Sequence, residues 1–465
     1  MGSLVHTAAP LRAHRAHRLA RRLVCLATML VAVAAAALGA GTVPAGAAVT
    51  GPVLDHDFAD PDVVRVGGTY HAYATNGDGR YLRHATSRDL VRWSLDGGDV
   101  LPALGQWAVD DRGRVWAPEV FDSGDGFTLY YTARDRASDR QCVGAALSSS
   151  PDGPFVPVGD GPLICPAEQG GAIDAASYTE DGRRYVVWKN DGNCCSMDTW
   201  LHLQPVSWDG TRITGPAVRL IKQDRDWEHK VVEAPTLVKR GGRYVLFYSA
   251  HFYDGDAYKT AYAVADDLTG PYTKAAAPLM TTESFSGTVR GPGGQDVVTG
   301  PDGRDRIVFH GWSPDYKRRP MYAADLGFAN GYPVVRGSKV LYQAENATVH
   351  HAIVRDAPGA SDGRAVGHID HPDSYVEFTV FAASAGRHTL SVQFGNGSLD
   401  SAGVPAGASH RLSVNGTDAG SVRYPHTGWD TWATSEATVT LNEGWNTIRL
   451  SKGDLYAELD SVEVA

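Results

Sequence analysis

Residues 232–250 read VEAPTLVKRGGRYVLFYSA, two apolar and aromatic segments separated by the pair Gly241–Gly242. A tight glycine turn between two such segments is typical of a β-hairpin. The carboxylate of Glu233 stands at the head of this apolar stretch, where burial of an unpaired charge is costly. The stretch therefore predicts a hairpin in which Glu233 has a partner or a chemical role.

The same pattern of strand, glycine turn and aromatic strand occurs five times along the chain. The five copies are 59–76, 117–135, 173–191, 233–251 and 294–312, with turn glycines Gly68, Gly126, Gly182, Gly242 and Gly303. Spacings of 58, 56, 60 and 61 residues between these glycines, with no amphipathic helix between them, predict a β-propeller of five four-stranded blades. A string of unrelated hairpins is the alternative.

Three of the repeats begin with an acid. Asp60 and Asp174 lie eight residues before the turn glycines of their repeats, and Glu233 lies nine residues before its own. Equivalent positions of a propeller converge on its axis, so these carboxylates are expected to share one cavity. A single acid at a strand start is usually a turn cap, but three at corresponding positions favour a shared site.

Converging carboxylates suit one kind of chemistry. Their repulsion raises the pKa of at least one of them, which gives a proton donor beside an ionised base. Glycoside hydrolysis requires this pair: one acid protonates the leaving oxygen while the other carboxylate activates water or attacks directly.

The beginning of the chain has the character of a secretory signal peptide. Residues 1–22 carry five arginines and no acid, residues 23–38 are apolar, and Ala45-Gly46-Ala47 offers small residues for cleavage. Removal of 1–47 leaves 38 basic and 53 acidic residues, a net charge of −15. We therefore expect an exported, soluble protein that repels nucleic acid and anionic membranes, while a neutral glycan is compatible with its surface.

Four cysteines follow that segment. In an oxidising compartment, Cys142 and Cys165 are the expected disulfide pair, and the adjacent Cys194 and Cys195 receive no assignment.

From about residue 52 to 338 the chain resembles glycoside hydrolase family 43. The motifs that carry the resemblance are ADPDV at Asp60, WAPEV at 116–120, AIDAASYTEDGRRY at Asp174, VEAPTLVKRGGRY at Glu233 and FHGW at 309–312. The resemblance implies an inverting hydrolase on a five-bladed propeller, with no cofactor for catalysis. It assigns Asp60 as general base, Glu233 as general acid, and Asp174 as the carboxylate that orients the acid and tunes its pKa.

The resemblance also extends to the axis of the propeller. His310 matches a histidine that in many relatives contacts a central metal ion or its waters. Many relatives have a Gly-His step where this chain has Gly294–Gln295, so a calcium ion in the channel is not assigned, and His310 is treated as a substrate-site or channel residue. Trp116 is either a wall of the sugar subsite or a core residue.

From about Leu341, short alternating strands predict a β-sandwich of the jelly-roll type. The motifs YQAENA, TGWDTW at 427–432, LNEGWNTIRL at 441–450 and LDSVEV resemble carbohydrate-binding modules of families 35 and 6. The resemblance implies a structural calcium ion and a sugar-binding face. The implied calcium ligands are Glu345, Asp460 and, more weakly, Gln343, and the candidate ligand-facing residues are Trp429, Trp432 and Tyr456, with one of the two tryptophans in the core.

The sequence thus predicts three parts: signal peptide 1–47, propeller hydrolase domain 48–340 and carbohydrate-binding module 341–465. We expect a secreted monomer that acts as an exo-α-L-arabinofuranosidase on arabinose- or xylose-containing side chains of plant cell-wall hemicellulose or pectin. A β-xylosidase, an endo-arabinanase or an exo-β-1,3-galactanase are alternatives, although galactanase relatives generally lack the Asp base. A non-catalytic glycan-binding propeller is the alternative of another class.

Overall fold

The computed structural model describes Gly2, Val49 and residues 51–464 except 276, 336–340, 362 and 383–384. The predicted signal peptide 1–47 lies, Gly2 apart, outside the described residues. In the part of the chain that is described, all regular structure is β-strand and short 3₁₀ turns, and no helix is long and apolar enough to cross a bilayer. The prediction of an all-β protein is confirmed.

The first part of the chain forms five antiparallel sheets of four strands each, paired in chain order. Sheet 1 contains β1 (Asp62–Val66), β2 (Thr69–Ala74), β3 (Arg83–Ser87) and β4 (Trp93–Leu95). Sheet 2 contains β5 (Trp116–Asp122), β6 (Phe127–Arg134), β7 (Gln141–Ser148) and β8 (Val156–Val158), and sheet 3 contains β9 (Ala172–Glu180), β10 (Arg183–Asn190), β11 (Trp200–Val206) and β12 (Val218–Lys222). Sheet 4 contains β13 (Val232–Arg240), β14 (Arg243–Ala250), β15 (Lys259–Ala265) and β16 (Thr273–Lys274), and sheet 5 contains β17 (Arg290–Thr299), β18 (Asp305–Trp312), β19 (Met321–Ala329) and β20 (Tyr332–Val335).

The hairpin quoted above joins β13 to β14. Gly241 and Gly242 have φ values of +57° and +82°, and Arg240 pairs with Arg243 across them. Two positive φ values in a two-residue loop match the twist of the flanking strands, which explains the two glycines. Three 3₁₀ turns, at Ala167–Gln169, Gly192–Cys195 and Asp226–Glu228, lie in the connections around sheet 3.

The five sheets are arranged in a closed cycle. The first strand of each sheet contacts the first strand of the next, and β17 of sheet 5 contacts β1 of sheet 1. Each pair of neighbouring sheets encloses its own apolar cluster, for example Tyr73 with Tyr131 between sheets 1 and 2, and Phe247 with Phe309 between sheets 4 and 5. Burial of these aromatic strands therefore holds every sheet to both of its neighbours.

The innermost strands are also joined by hydrogen bonds from sheet to sheet. Side chains of Asp62, Glu119, Asp174 and Asp296 accept the backbone N–H groups of Val120, Ser177, Ala234 and Val63, at 2.8, 2.6, 2.9 and 2.9 Å. Thr236 Oγ1 completes the circle by donating to the carbonyl of Gln295 at 2.8 Å. The acids at the centre of the ring therefore connect its sheets as well as lining its channel.

The C-terminal part has two facing sheets around one apolar core. One sheet has the order β23 (Ile353–Asp356), β24 (Arg364–Gly367), β31 (Glu458–Val464), β26 (Gly386–Asn396), β29 (Gly428–Leu441), with β21 (Leu341–Gln343) also paired to β31. The other has the order β22 (Thr348–His350), β25 (Tyr375–Ala382), β30 (Gly444–Lys452), β27 (Ala408–Val414), β28 (Thr417–Tyr424), and a 3₁₀ turn spans Ala344–Asn346. Along β25 buried and half-buried residues alternate, as the sequence pattern predicts for a sheet with one face in the core.

The cysteine prediction is confirmed. Cys142 and Cys165 form a disulfide, and Cys194 and Cys195, which received no assignment, form a second one between adjacent residues.

Candidate active site

The entrance of each innermost strand has the same unusual backbone. Asp60, Ala117, Asp174, Ala234 and Gly294 all have positive φ values, between +42° and +57°, and follow one another at spacings of 57, 57, 60 and 60 residues. In sheets 2 to 5 the strand register shifts at this point. Such a bulge redirects a side chain, and strain of this kind is concentrated at functional sites.

The recurring left-handed position corrects the alignment of the fourth sequence repeat with the others. The residue of the fourth repeat that corresponds to Asp60 and Asp174 is Ala234, so Glu233 lies one position before it. All three acids nevertheless line one cavity of about 600 Å³ at the mouth of the central channel. Trp116 also lines this cavity and is half-buried.

Asp60 is surrounded by groups that favour its ionised form. Thr75 Oγ1 donates to Asp60 Oδ2 at 2.5 Å, and the guanidinium of Arg319 lies 3.6 Å from Oδ1. Burial alone would raise the pKa of Asp60, but Arg319 and the Thr75 hydroxyl together bring it below its ordinary value. Asp60 is therefore an anion at neutral pH, which is the state a general base requires.

Glu233 has a different environment. Its Oε1 accepts a hydrogen bond from Tyr258 Oη at 2.9 Å, and its Oε2 accepts one from Lys189 Nζ at 3.1 Å. The ammonium of Lys189 is wholly buried and also donates to Asn193 Oδ1 at 2.7 Å. Burial lowers the pKa of Lys189, but the carboxylates of Glu233, Asp191 and Asp174 outweigh it and keep the group cationic.

Asp174 is the third carboxylate and holds a proton more tightly than an ordinary aspartate. Burial and the charge of Glu233 raise the pKa of Asp174 to about 7, although Lys189 and the N–H of Ala234 act in the opposite direction. Asp174 therefore retains a proton up to about neutral pH, while Asp60 does not. One cavity thus contains a base and a proton donor side by side.

His310 is completely buried behind Asp60. Its Nδ1 accepts the backbone N–H of Asp60 at 3.1 Å, so the neutral ring carries its proton on Nε2. Nε2 is buried and has no hydrogen-bond partner among the described residues. Burial and Arg319 lower the pKa of His310 to about 3, so the ring is neutral. A protonated Nε2 can donate to water or to a carbonyl but does not ligate a cation, so the residues present do not fit direct metal coordination by His310.

Gly294 and Gln295, the step at which this chain departs from the family pattern, are each fixed by close neighbours. A Cβ on Gly294 would lie 2.6 Å from His310 Nδ1 and 2.8 Å from Asp60 Oδ1, so only glycine fits there. Gln295 is buried and is bonded to sheet 4, donating to the carbonyl of Ala234 at 2.6 Å and accepting from Ser249 Oγ at 2.9 Å. Gln295 thus joins sheets 4 and 5 at the channel.

A second ring of acids was not predicted. Asp62, Glu119 and Asp296 each lie two residues after a left-handed position and line both the main cavity and a second one of about 210 Å³. Burial raises the pKa of all three, to about 8 for Glu119, where the charge of Asp296 adds to it, and to about 6 for Asp296. The second aspartate of ADPD and the single acids of APE and GQD were the sequence signal for this ring.

Arg319, Lys189 and Tyr258 were also missed. Each lies outside the motif that precedes a turn, and each reaches the cavity from a later strand or from a connection between strands. Lys189 is in the apolar segment YVVWKND, where a charged residue within a buried strand was the available signal.

The predicted residues of the C-terminal part fall into two groups. Asp460 is buried and accepts the backbone N–H of Ser361 at 3.1 Å. Ser361 Oγ lies within hydrogen-bond distance of Asp460 Oδ1 and Gln343 Oε1, at 2.8 and 2.9 Å, and Glu345 lies on the adjacent 3₁₀ turn. Trp429 and Tyr456 are about half exposed, whereas Trp432 is less exposed and its Nε1 donates to the carbonyl of Pro358 at 3.0 Å. The structure therefore distinguishes the two tryptophans that sequence alone left equivalent.

Comparison with known proteins finds a family that matches more than half of the chain. The sequence model of the family described as glycosyl hydrolases family 43 matches residues 49–327. An extracellular exo-α-(1→5)-L-arabinofuranosidase of Streptomyces chartreusis is 30% identical over 305 residues, covering 59% of this chain and 88% of that protein. An extracellular endo-α-(1→5)-L-arabinanase of Bacillus subtilis strain 168 is 26% identical over 319 residues, covering 64% and 95%.

Among solved structures, a thermostable family-43 glycoside hydrolase superimposes with a TM-score of 0.56. The two proteins share 29% identity, and the match covers 62% of this chain and 96% of that one.

Proposed function

The chain belongs to family 43 of the glycosyl hydrolases and is an inverting glycoside hydrolase, and we propose that it is an exo-acting α-L-arabinofuranosidase. The observation that carries this proposal is the asymmetry of the cavity: Asp60 is held ionised by Arg319, while burial and the charge of Glu233 raise the pKa of Asp174 to about 7. The choice of arabinose is supported by the two relatives named for action on α-1,5-linked arabinose. Within the family, β-xylosidase, endo-arabinanase and exo-β-1,3-galactanase activities are the competing candidates.

In the proposed reaction, Asp60 accepts a proton from a water molecule as the water oxygen attacks the anomeric carbon. Glu233 donates its proton to the glycosidic oxygen, the bond between that oxygen and the anomeric carbon breaks, and the sugar leaves with inverted configuration. Tyr258 and Lys189 orient the Glu233 carboxyl through its two oxygens. Asp174 acts on Glu233 by charge and does not itself exchange a proton with the substrate.

We propose the domain organisation that the sequence predicts, with a signal peptide at 1–47, a five-bladed β-propeller at 48–340 and a jelly-roll carbohydrate-binding module at 341–465. The cycle of five four-stranded sheets supports the propeller, and the two facing sheets support the module. Secretion is supported by the relatives named extracellular and by two disulfides. We expect a monomer.

For the module we propose a structural calcium ion held by oxygens of Gln343, Glu345 and Asp460. Support comes from Ser361, which brings Gln343 and the buried Asp460 together. Addition of Ca²⁺ to chelator-treated protein should raise its melting temperature, and Asp460→Asn should remove this response. A response that persists in Asp460→Asn would contradict this ligand set.

The test of the proposed activity is a release assay on 4-nitrophenyl glycosides of α-L-arabinofuranose, β-D-xylose and β-D-galactose, and on arabinan, arabinoxylan and galactan. Arabinose monomers from arabinan and arabinoxylan are expected, with Asp60→Asn as the control for contaminating activity. Arabino-oligosaccharides would indicate endo action, xylose a β-xylosidase and galactose a galactanase. Glycan binding without any release would favour a non-catalytic propeller.

A further inference from the structure

Two histidines lie close together on the face of sheet 1 that packs against sheet 2. His71 of β2 and His84 of β3 are diagonal neighbours, since His84 pairs with Tyr73 and His71 pairs with Thr86. The two residues are 6% and 1% exposed, and His71 Nδ1 lies 3.2 Å from His84 Nε2. Two imidazole nitrogens at this distance, removed from water, share either a proton or a cation.

A carboxylate of the neighbouring sheet completes the group. Asp152, in the connection that follows β7 of sheet 2, places Oδ1 3.3 Å from His71 Nδ1. This connection is held against sheet 1 by Tyr73, whose hydroxyl donates to the carbonyl of Pro151 at 2.5 Å. The ligand atoms of His71, His84 and Asp152 all lie within 4.8 Å of one another.

A fourth residue determines which nitrogen of His84 is available. Asp96, just after β4, places Oδ2 2.6 Å from His84 Nδ1, so Nδ1 carries the proton that this carboxylate accepts. The lone pair of His84 therefore lies on Nε2, the atom that faces His71. A carboxylate that holds the far nitrogen of an imidazole is the usual outer partner of a metal-ligating histidine.

We propose that His71 Nδ1, His84 Nε2 and Asp152 Oδ1 form a zinc site between sheets 1 and 2, with Asp96 as its positioning residue. Ligands at about 2.0 Å from a tetrahedral zinc ion are separated by roughly 3.3 Å. His71 Nδ1 lies 3.2 Å from His84 Nε2 and 3.3 Å from Asp152 Oδ1, and all three atoms lie within 4.8 Å of one another. Two neutral imidazoles and one carboxylate form a ligand set that leaves a fourth position for water, on the side where Asp152 is exposed.

The metal-free alternative is a chain of hydrogen bonds. In that arrangement His71 Nδ1–H donates to His84 Nε2, and His84 Nδ1–H donates to Asp96. Binding of Zn²⁺ replaces the proton on His71 Nδ1, which moves to Nε2 of the same ring, and leaves the proton on His84 Nδ1 in place. The two arrangements therefore differ in metal binding but not in the backbone.

The site is separate from the catalytic cavity, because none of its four residues lines that cavity. Its ligands come from two sheets that also enclose a shared apolar cluster. The metal therefore has a structural role, stabilising the contact between the first two sheets.

The experiment uses the untagged full-length chain, stripped with chelator and kept in excess Ca²⁺. A second group with metal-ligating atoms, His350, His351 and Asp373 on the surface of the C-terminal part, would complicate the stoichiometry. All measurements are therefore made in a His350→Asn, His351→Asn background. Zn²⁺ binding is followed by calorimetry, and Co²⁺ binding by the visible absorption of a tetrahedral complex.

One Zn²⁺ per chain and an intense Co²⁺ absorption are expected in this background. Asp152→Asn and Asp96→Asn should each weaken zinc binding about 10- to 100-fold, whereas Asp160→Asn, the same change at an exposed acid just after β8, should leave it unchanged. Unaltered turnover at 25 °C verifies that Asp152→Asn is folded, because Asp152 is remote from the catalytic groups. Absence of stoichiometric zinc, or equal affinity in Asp152→Asn and Asp160→Asn, overturns the proposal in favour of the hydrogen-bonded chain.

Discussion

Nζ of Lys189 lies 3.1 Å from Oε2 of Glu233 and is fully buried, so the proposed general acid is paired with a cation that no solvent screens. An opposite charge at this distance favours loss of the acid's proton, whereas the neighbouring Asp174 favours its retention. The working range of the enzyme therefore depends on a balance between these two groups, and each can be removed separately.

Replacement of Lys189, the cation beside Glu233, should extend activity to higher pH. In Lys189→Met, Asp174 loses the buried cation that lowers its pKa, so the alkaline limb of the pH–rate profile should move to higher pH. Turnover should fall at the same time, because the Glu233 carboxyl loses one of its two hydrogen-bond donors. Lys230→Met, an exposed lysine, is the control. An unchanged alkaline limb would show that the Lys189 charge does not act on the acid.

Removal of the neighbouring carboxylate should have the opposite effect. Asp174→Asn removes a carboxyl whose pKa is raised to about 7 and leaves Glu233 facing Lys189 alone, so the alkaline limb of the pH–rate profile should move to lower pH. Turnover should fall as well. If the limb stays in place while turnover falls, Asp174 positions the substrate instead of tuning the acid.

Substrates with different leaving groups should distinguish the general base Asp60 from the general acid Glu233. Asp60→Asn and Glu233→Gln should each reduce turnover of natural substrates by about 10³-fold or more while the melting temperature stays near that of the parent. An aryl glycoside with a good leaving group needs little protonation, so it should restore much of the rate in Glu233→Ala and little in Asp60→Ala. NMR of the first product should show inverted configuration, and rescue of the Asp60 variant would reverse the assignment.

The second ring of acids should affect stability more than catalysis. Because the pKa of Glu119 is raised to about 8 in the fold and is ordinary in the unfolded chain, the native state holds an extra proton between about pH 4.5 and 8. The free energy of unfolding therefore falls as pH rises through this window. Glu119→Gln should remove part of that fall. Between pH 5 and pH 8 its free energy of unfolding should rise relative to that of the parent by about 1–3 kcal/mol. Glu168→Gln, at an exposed glutamate, is the matched control. Parallel pH curves for the three proteins would exclude a buried proton at Glu119.

Alanine variants of the two tryptophans of the C-terminal part should differ in their effects on glycan binding and on stability. Trp429 is about half exposed and packs over Gly397, close to Tyr456, whose backbone is bonded to Ser398. Trp429→Ala should abolish binding to soluble arabinan in affinity electrophoresis at unchanged melting temperature. Trp432→Ala should lower the melting temperature, because it removes packing and the hydrogen bond to Pro358. Loss of binding in neither variant would place the ligand face elsewhere on the module.

Much of this protein could be predicted from local pattern. Alternation, glycine turns and aromatic strands recur within each repeat. Because a hairpin depends on residues that are neighbours in the chain, the all-β class and the five copies could be predicted from the sequence alone. The three acids were found for the same reason, since each stands eight or nine residues before the glycine of its own turn. The Cys142–Cys165 pair followed from the small number of cysteines.

Tertiary structure decided the residues that act across sheets. Lys189 reaches Glu233 from 44 positions away, and Arg319 reaches Asp60 from the far end of the ring, because closing the cycle brings the first and fifth sheets together. The left-handed bulge is a backbone conformation, and Asp, Ala and Gly all occupy it. Because it requires no particular residue type, the sequence did not show that Glu233 lies one position before the equivalent of Asp60. The grouping of His71, His84 and Asp152 likewise exists only where two sheets meet, because contact between sheets depends on the three-dimensional packing of residues that no local sequence period relates.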